Sequence, residues 1–278
     1  MGANMAGHLL GAGAELFVHS RTQVKARGLV EAGARWMGDL PSLARVSEVV
    51  ITMVGFPEDV EEVYFGLLAE ARPGTLLIDM TTTRPALARR IATCGEERGL
   101  LVLDAPVSGG ESGARSAELS IMVGGRRAIF EVALPLLEKM GSRIVLQGPA
   151  GSGQQVKLCN QIAIAASMLG VCEAMATAEC LHLDPAEVLK SISGGAAGSW
   201  SLSHLAPKMI GRDWRAGFFV KHFLKDLRLA IEEAEAAGLD LPGLRLATSL
   251  YDNLSAVGGA EQGTQALYRR YCERDKTR

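Results

Sequence analysis

Short apolar runs alternate with amphipathic stretches through the first 147 residues, and after Gly148-Pro149 the alternation stops. Runs of aliphatic and β-branched residues at 15–19, 49–54, 76–79, 101–105, 120–123 and 143–146 read as strands, each bounded by Gly, Pro or a charged segment. Between them, 59–71 and 85–98 have helical spacing, the second opening on Pro85 in its first turn. Strand and helix in alternation predict βαβ units and a parallel sheet. From about residue 153 to 180 the pattern becomes one long apolar helix, followed by helical stretches at 185–193, 202–209, 223–237, 242–254 and 264–272. The fold class expected is α/β, a doubly wound parallel sheet over residues 1–147 followed by an all-α domain over 148–278. In such sheets ligands sit outside the carboxyl ends of the strands.

Length agrees with two domains, since 278 residues exceed the roughly 100 to 200 typical of one. Charge narrows the partners: a net charge of −2 and a pI near 6.2 provide no basic field for nucleic acid or an anionic membrane surface. The stretch 162–181 is apolar enough to be compared with a membrane span, yet it carries Glu173 and Glu179 among many small residues and reads as a buried core helix. The five cysteines contain no C-x-x-C pair and lie away from the histidines at ligand spacing, so reduced thiols, no metal and a cytoplasmic location are expected.

Several segments carry chemistry. Gly2 opens a helix through which a strand follows, and a glycine there lets a helix N-terminus approach a pyrophosphate; it equally suits an ordinary helix start. After the strand at 15–19 come Ser20, Arg21 and Thr22, with no adjacent Asp or Glu to bind ribose hydroxyls. An arginine among small hydroxyl residues suits a 2′-phosphate, which predicts NADP over NAD; the alternative is a solvated arginine. Asp104-Ala105-Pro106-Val107-Ser108-Gly109-Gly110 closes a strand with small residues whose backbone N–H groups suit a carboxylate. Gly151 to Asn160 places Lys157 and Asn160 three apart on one face of the long helix, and a lysine on the inward face of an apolar helix is costly unless it is used. Lys221-His222-Phe223-Leu224-Lys225-Asp226-Leu227 offers a second lysine, or a plain solvated face.

In their order, the glycine-containing start, Asp79-Met80-Thr81-Thr82-Thr83-Arg84-Pro85, the DAPVSGG segment, the G-x-x-x-x-x-K-x-x-N helix and the KDL segment resemble the β-hydroxyacid dehydrogenase family over nearly the whole chain. The resemblance implies a Rossmann NAD(P)-binding domain, a helical substrate and dimerisation domain, and an oxidoreductase interconverting a small β-hydroxy acid, such as 3-hydroxyisobutyrate, with its semialdehyde. It implies Lys157 as the catalytic lysine, Asn160 as substrate-orienting, Ser108, Gly109 and Gly110 as the substrate turn, and Val54, Gly55, Thr82 and Lys225 as cofactor contacts, beside Gly2. A homodimer or homotetramer is implied with it. Two departures stand out: Gly55 occupies a position the family gives to proline, and the first strand with two glycines is absent, so about ten further residues before Met1 are expected. A catalytically impaired nucleotide-binding module and an enzyme of the related 6-phosphogluconate type are the competing readings.

In the chemistry so implied, nicotinamide supplies hydride and Lys157 exchanges a proton with the carbonyl or hydroxyl oxygen. Desolvation or a nearby cation shifts a lysine toward the neutral amine, and Lys225 is the candidate neighbour.

Overall fold

The structure, a computed structural model, describes residues 1–272 and divides into two compact units, 1–157 and 158 onward. The division falls ten residues beyond the seam read from the sequence, because the first turn of the long helix is bonded to the strand ends of the first unit.

The first unit contains strands β1 (Phe17–Val18), β2 (Arg35–Trp36), β3 (Val49–Thr52), β4 (Leu76–Asp79), β5 (Leu101–Asp104), β6 (Val107–Ser108), β7 (Leu119–Gly124) and β8 (Gly141–Gly148). Its helices are α1 (Gly2–Gly11), α2 (Arg27–Glu31), α3 (Leu40–Val46), α4 (Pro57–Glu70), α5 (Pro85–Glu96), α6 (Gly110–Ser116), α7 (Arg127–Leu137) and the start of α8 (Ser152–Cys180). The centre of the sheet is parallel, β3 to β4 to β5, with Thr52, Asp79 and Asp104 aligned in register at the carboxyl ends. Side-chain alternation along β4 explains why its run is apolar throughout: Leu76 and Ile78 enter the core under α1, α6 and α7, while Leu77 enters the opposite core with Val60, Leu67 and Ile91.

Two features differ from the sequence expectation. The sheet is mixed, since β7 runs antiparallel to β5 and β6 and parallel to β8. The physical reason is the short return through α6, shorter than the dozen or more residues a parallel crossover takes. Secondly, among the described residues β1 pairs only with β2, as a separate two-stranded ribbon, and β3 has a ladder partner on one side only. Val49 on β3 is accordingly exposed, whereas every residue of β4 is buried. The strand at 35–36 has only two residues and no apolar run to announce it.

The second unit is helical. It takes the remainder of α8, then α9 (Pro185–Ser193), α10 (Trp200–Ile210), α11 (Val220–Ala236), α12 (Pro242–Leu254) and α13 (Arg269–Cys272). Leu158, Ala165, Met168, Cys172 and Met175 on α8 pack with Phe223, Leu227, Tyr251 and Tyr268 into one core. α8 has 29 residues and is long and apolar enough to cross a membrane by composition alone, but this packing gives its apolar face a protein partner. Asp184 and Ser199 cap α9 and α10 by accepting backbone N–H groups.

Candidate active site

The aligned strand ends of the first unit build a buried polar cluster. Asp79 is 4% exposed, and its Oδ1 accepts from Thr52 Oγ1 at 2.9 Å and from Thr81 N at 3.0 Å. Burial, ahead of these bonds, pushes its carboxyl up to about 6. Thr52 Oγ1 is also within 3.1 Å of the Tyr64 hydroxyl, and Thr81 Oγ1 accepts from Val54 N at 3.0 Å, so the loop after β3 is tied to the loop after β4. One strand over, Asp104 accepts Gly151 N on Oδ1 at 2.7 Å and Gln154 N on Oδ2 at 2.9 Å. It serves as a remote cap of α8, the N–H groups of a helix's first turn having no partner within the helix. A side chain at Gly153 would overlap Met122 O and the Asp104 carboxylate, so the helix start lies directly on the strands. Burial raises the Asp104 carboxyl against these lowering bonds.

Gln154, fully buried, accepts Thr83 N on Oε1 at 2.9 Å and donates from Nε2 to Thr81 O at 2.8 Å. Thr81 and Thr83 are buried, and Thr82 between them is half-exposed. Lys157 follows one turn after Gln154 on α8 and is 6% exposed.

The other first-unit residues singled out in the sequence lie at the same strand ends or on the ribbon. Val54 and Gly55 are half-buried in the loop after β3, and a side chain on Gly2 would stand 3.5 Å from Met53 Cβ, which puts the start of α1 beside that loop. Ser108 ends β6, and Gly109 and Gly110 begin α6 with φ of 129° and 63°, backbone that glycine adopts without strain. All three are half-exposed, in contrast to the buried 102–107. On the ribbon, Ser20 Oγ accepts Thr22 N at 3.4 Å, and Arg21 Nη1 pairs with Asp59 Oδ1 at 2.7 Å. The sequence shows no acid beside Arg21, but Asp59, 38 residues on, supplies one through the first turn of α4.

In the second unit, Asn160 Nδ2 donates to Gln161 Oε1 at 2.8 Å, and Gln161 Nε2 donates to Asp226 Oδ2 at 2.6 Å. Lys225 Nζ forms an ion pair with Asp226 Oδ1 at 2.8 Å, both side chains nearly buried. The sequence offers Lys225 as a bare cation; Asp226 balances it. Asp104, Gln154, Asp59, Gln161 and Asp226 are the polar partners that motif reading did not single out.

Residues 1–148 match the family model of the NAD binding domain of 6-phosphogluconate dehydrogenase, and residues 151–271 match the one described as NAD-binding of NADP-dependent 3-hydroxyisobutyrate dehydrogenase. The chain belongs to the β-hydroxyacid dehydrogenase family. Among its relatives, an uncharacterized oxidoreductase of Bacillus subtilis, YkwC, is 53% identical, covering 97% of this chain and 94% of the relative. The NAD-dependent L-serine dehydrogenase of Pseudomonas aeruginosa is 40% identical over 94% of this chain and 91% of its own. A solved structure of Mycobacterium tuberculosis 3-hydroxyisobutyrate dehydrogenase with L-serine superposes with a TM-score of 0.88 at 33% identity, covering 97% of this chain and 95% of that one. As a β-hydroxyacid dehydrogenase the chain is an NAD(P)-dependent oxidoreductase. Its first unit fits such a cofactor: Val54, Gly55 and Thr82 are half-exposed at the strand ends, beside the N-terminus of a ten-residue helix.

Proposed function

We propose that this β-hydroxyacid dehydrogenase interconverts a small 3-hydroxy acid and its semialdehyde, with Lys157 moving the proton. The observation that carries the reading is the placement of Lys157: a nearly buried amine on a helix whose first turn is bonded to the carboxyl end of β5, where α/β sheets bind their ligands. Bound nicotinamide would supply or accept the hydride. In reduction, the Lys157 ammonium donates a proton to the carbonyl oxygen; in oxidation, the amine takes it from the hydroxyl. Ser108, Gly109 and Gly110, half-exposed after β6, bind the carboxylate through hydroxyl and backbone N–H groups. Asn160 orients the reacting oxygen, its amide held by Gln161. Val54, Gly55, Thr82, Gly2 and Lys225 are the proposed cofactor contacts.

L-serine joins 3-hydroxyisobutyrate as a substrate class, since both carry a carboxylate two bonds from the carbinol carbon, and two of the relatives above are named with L-serine. Arg21, flanked by Ser20 and Thr22, favours NADP by pairing with its 2′-phosphate. A cytoplasmic homodimer or homotetramer remains the proposed state, in keeping with the free cysteines among the described residues.

The test is turnover of NAD and NADP with 3-hydroxyisobutyrate and L-serine, and of the reduced cofactors with tartronate semialdehyde, succinic semialdehyde and glyoxylate. Lys157→Ala should lower kcat by about 10²- to 10⁴-fold while the melting temperature changes little. Near wild-type kcat in that variant would sink the mechanism.

A further inference from the structure

We infer that Gln154 is a positioning residue that couples the cofactor-contacting loop to the catalytic helix, holding Thr82 and Lys157 at a fixed separation. The inference rests on the functional reading of Thr82 and Lys157 above. Its own observation is geometric. A single primary amide spends both of its polar atoms on the two backbone groups that flank Thr82: Oε1 accepts Thr83 N at 2.9 Å and Nε2 donates to Thr81 O at 2.8 Å. With both neighbours of Thr82 pinned, the loop presents that one residue outward, and Thr82 is the half-exposed member of three consecutive threonines.

The other end of the clamp is equally fixed. The Gln154 backbone N–H is held by Asp104 at 2.9 Å, and Gly153, one residue earlier, has no room for a side chain between Met122 O and that carboxylate. Lys157 lies three residues on, about 4.5 Å along the axis and on the same helix face. Between the loop and the Lys157 backbone there is therefore one side chain, bonded at both of its polar atoms, and one turn of helix. Hydride and proton must reach adjacent atoms of one small substrate, and a displacement on the order of 1 Å in such a pair costs about 10²-fold in rate.

Two substitutions separate positioning from simple core packing. Gln154→Leu puts an apolar side chain of comparable size in its place and removes both bonds. Gln154→Glu keeps the acceptor for Thr83 N, but as a carboxylate it turns a second oxygen toward Thr81 O; once protonated, its O–H donates to Thr81 O and restores the pattern.

The cofactor-free protein gives the first readout. In Gln154→Leu the Thr83 amide should exchange with solvent about tenfold faster, with the amides of Leu77 and Leu103 in the adjoining strands unchanged. With L-serine and 3-hydroxyisobutyrate as probes, kcat of Gln154→Leu should fall by about 10- to 100-fold, more than cofactor affinity falls, and the isotope effect from deuterium at nicotinamide C4 should rise. The kcat of Gln154→Glu should climb back toward wild type as pH falls, beyond any change in the wild-type profile. Unchanged Thr83 protection overturns the clamp. Wild-type kcat in Gln154→Leu, with Lys157→Ala inactive, overturns the coupling and leaves the functional reading standing. Full turnover in Lys157→Ala removes the functional reading itself, and the coupling with it, whatever Thr83 shows.

Discussion

The two units bury carboxylates in opposite ways. At the strand ends of the first, Asp79 Oδ1 and both oxygens of Asp104 accept backbone N–H groups and a threonine hydroxyl, Asp79 Oδ2 is buried with no hydrogen-bond partner, and among the described residues no cation is bonded to either carboxylate. In the second, Asp226 sits between the Lys225 ammonium and the Gln161 amide. Burial raises the two first-unit carboxyls, because neutral donors only partly replace the water lost. The difference matches what each cluster holds. Neutral donors from the backbone fix the course of the chain, here the loops at 52–54 and 81–83 and the start of α8. An ion pair fixes two side chains that are neighbours in sequence. The first arrangement orders main chain at the cost of pH sensitivity, and the second is intolerant of losing one partner.

That intolerance is the largest effect expected. Asp226→Ala leaves the nearly buried Lys225 ammonium without its counter-ion, and breaking a buried pair in this way costs about 3–5 kcal/mol. Asp104→Asn keeps an acceptor for one of two N–H groups and should cost about 1–3 kcal/mol. Chemical denaturation at pH 7 checks the order. If Asp104→Asn proves the more damaging, helix capping outweighs charge pairing and the contrast between the units fails.

The second effect is a pH dependence that originates in the first unit. Asp79 titrates at about 6 in the folded chain, against an ordinary 3.8. Between those values the folded protein retains a proton that the unfolded chain has released, so stability falls as pH rises from about 4 to about 6, and this group adds no further change outside that window. A separation of that size corresponds to roughly 3 kcal/mol at most. Asp79→Asn cannot titrate, so its stability should vary less over the same range. An identical slope in wild type and variant would show that Asp79 does not titrate there.

Much of this was legible in the chain, and what was not has identifiable causes. Apolar runs located β3, β4 and β5, most clearly β4, which is buried on both faces and leaves no polar gap before Asp79, and Pro85 and Gly148-Pro149 marked the edges of elements. The run at 15–19 located β1, but the two-residue strands β2 and β6 lie in no such run, and the antiparallel return of β7 depends on a connection length that composition does not encode. Motifs led to Lys157 and Thr82 but not to their supports. Gln154 could have been found, since it precedes Lys157 by three on the face that the lysine shares with Asn160. Asp104 stood in the quoted DAPVSGG segment, where it read as a strand end. Asp226 and Gln161 were beyond reach, because their partnership spans 65 residues.

The smallest effect concerns a third kind of carboxylate contact, at the surface. Arg21 meets Asp59 at 2.7 Å with the arginine side chain 75% exposed, and an ion pair so exposed contributes about 0–1 kcal/mol. A pair that weak can be exchanged: a 2′-phosphate, with greater charge than one carboxylate, can draw the guanidinium from Asp59 with little loss of stability. Asp59 also accepts Phe56 N at 3.0 Å, so it keeps a partner when Arg21 leaves. Arg21→Ala should therefore shift the melting temperature hardly at all, yet raise the KM for NADPH by about tenfold, the equivalent of one well-made charged contact, with NADH little affected. Asp59→Asn, which weakens the competitor and retains an acceptor for Phe56 N, should lower the KM for NADPH by a smaller factor. Equal effects of Arg21→Ala on both cofactors would mean that the guanidinium meets only Asp59 and solvent, and that discrimination between the nucleotides lies elsewhere on the ribbon.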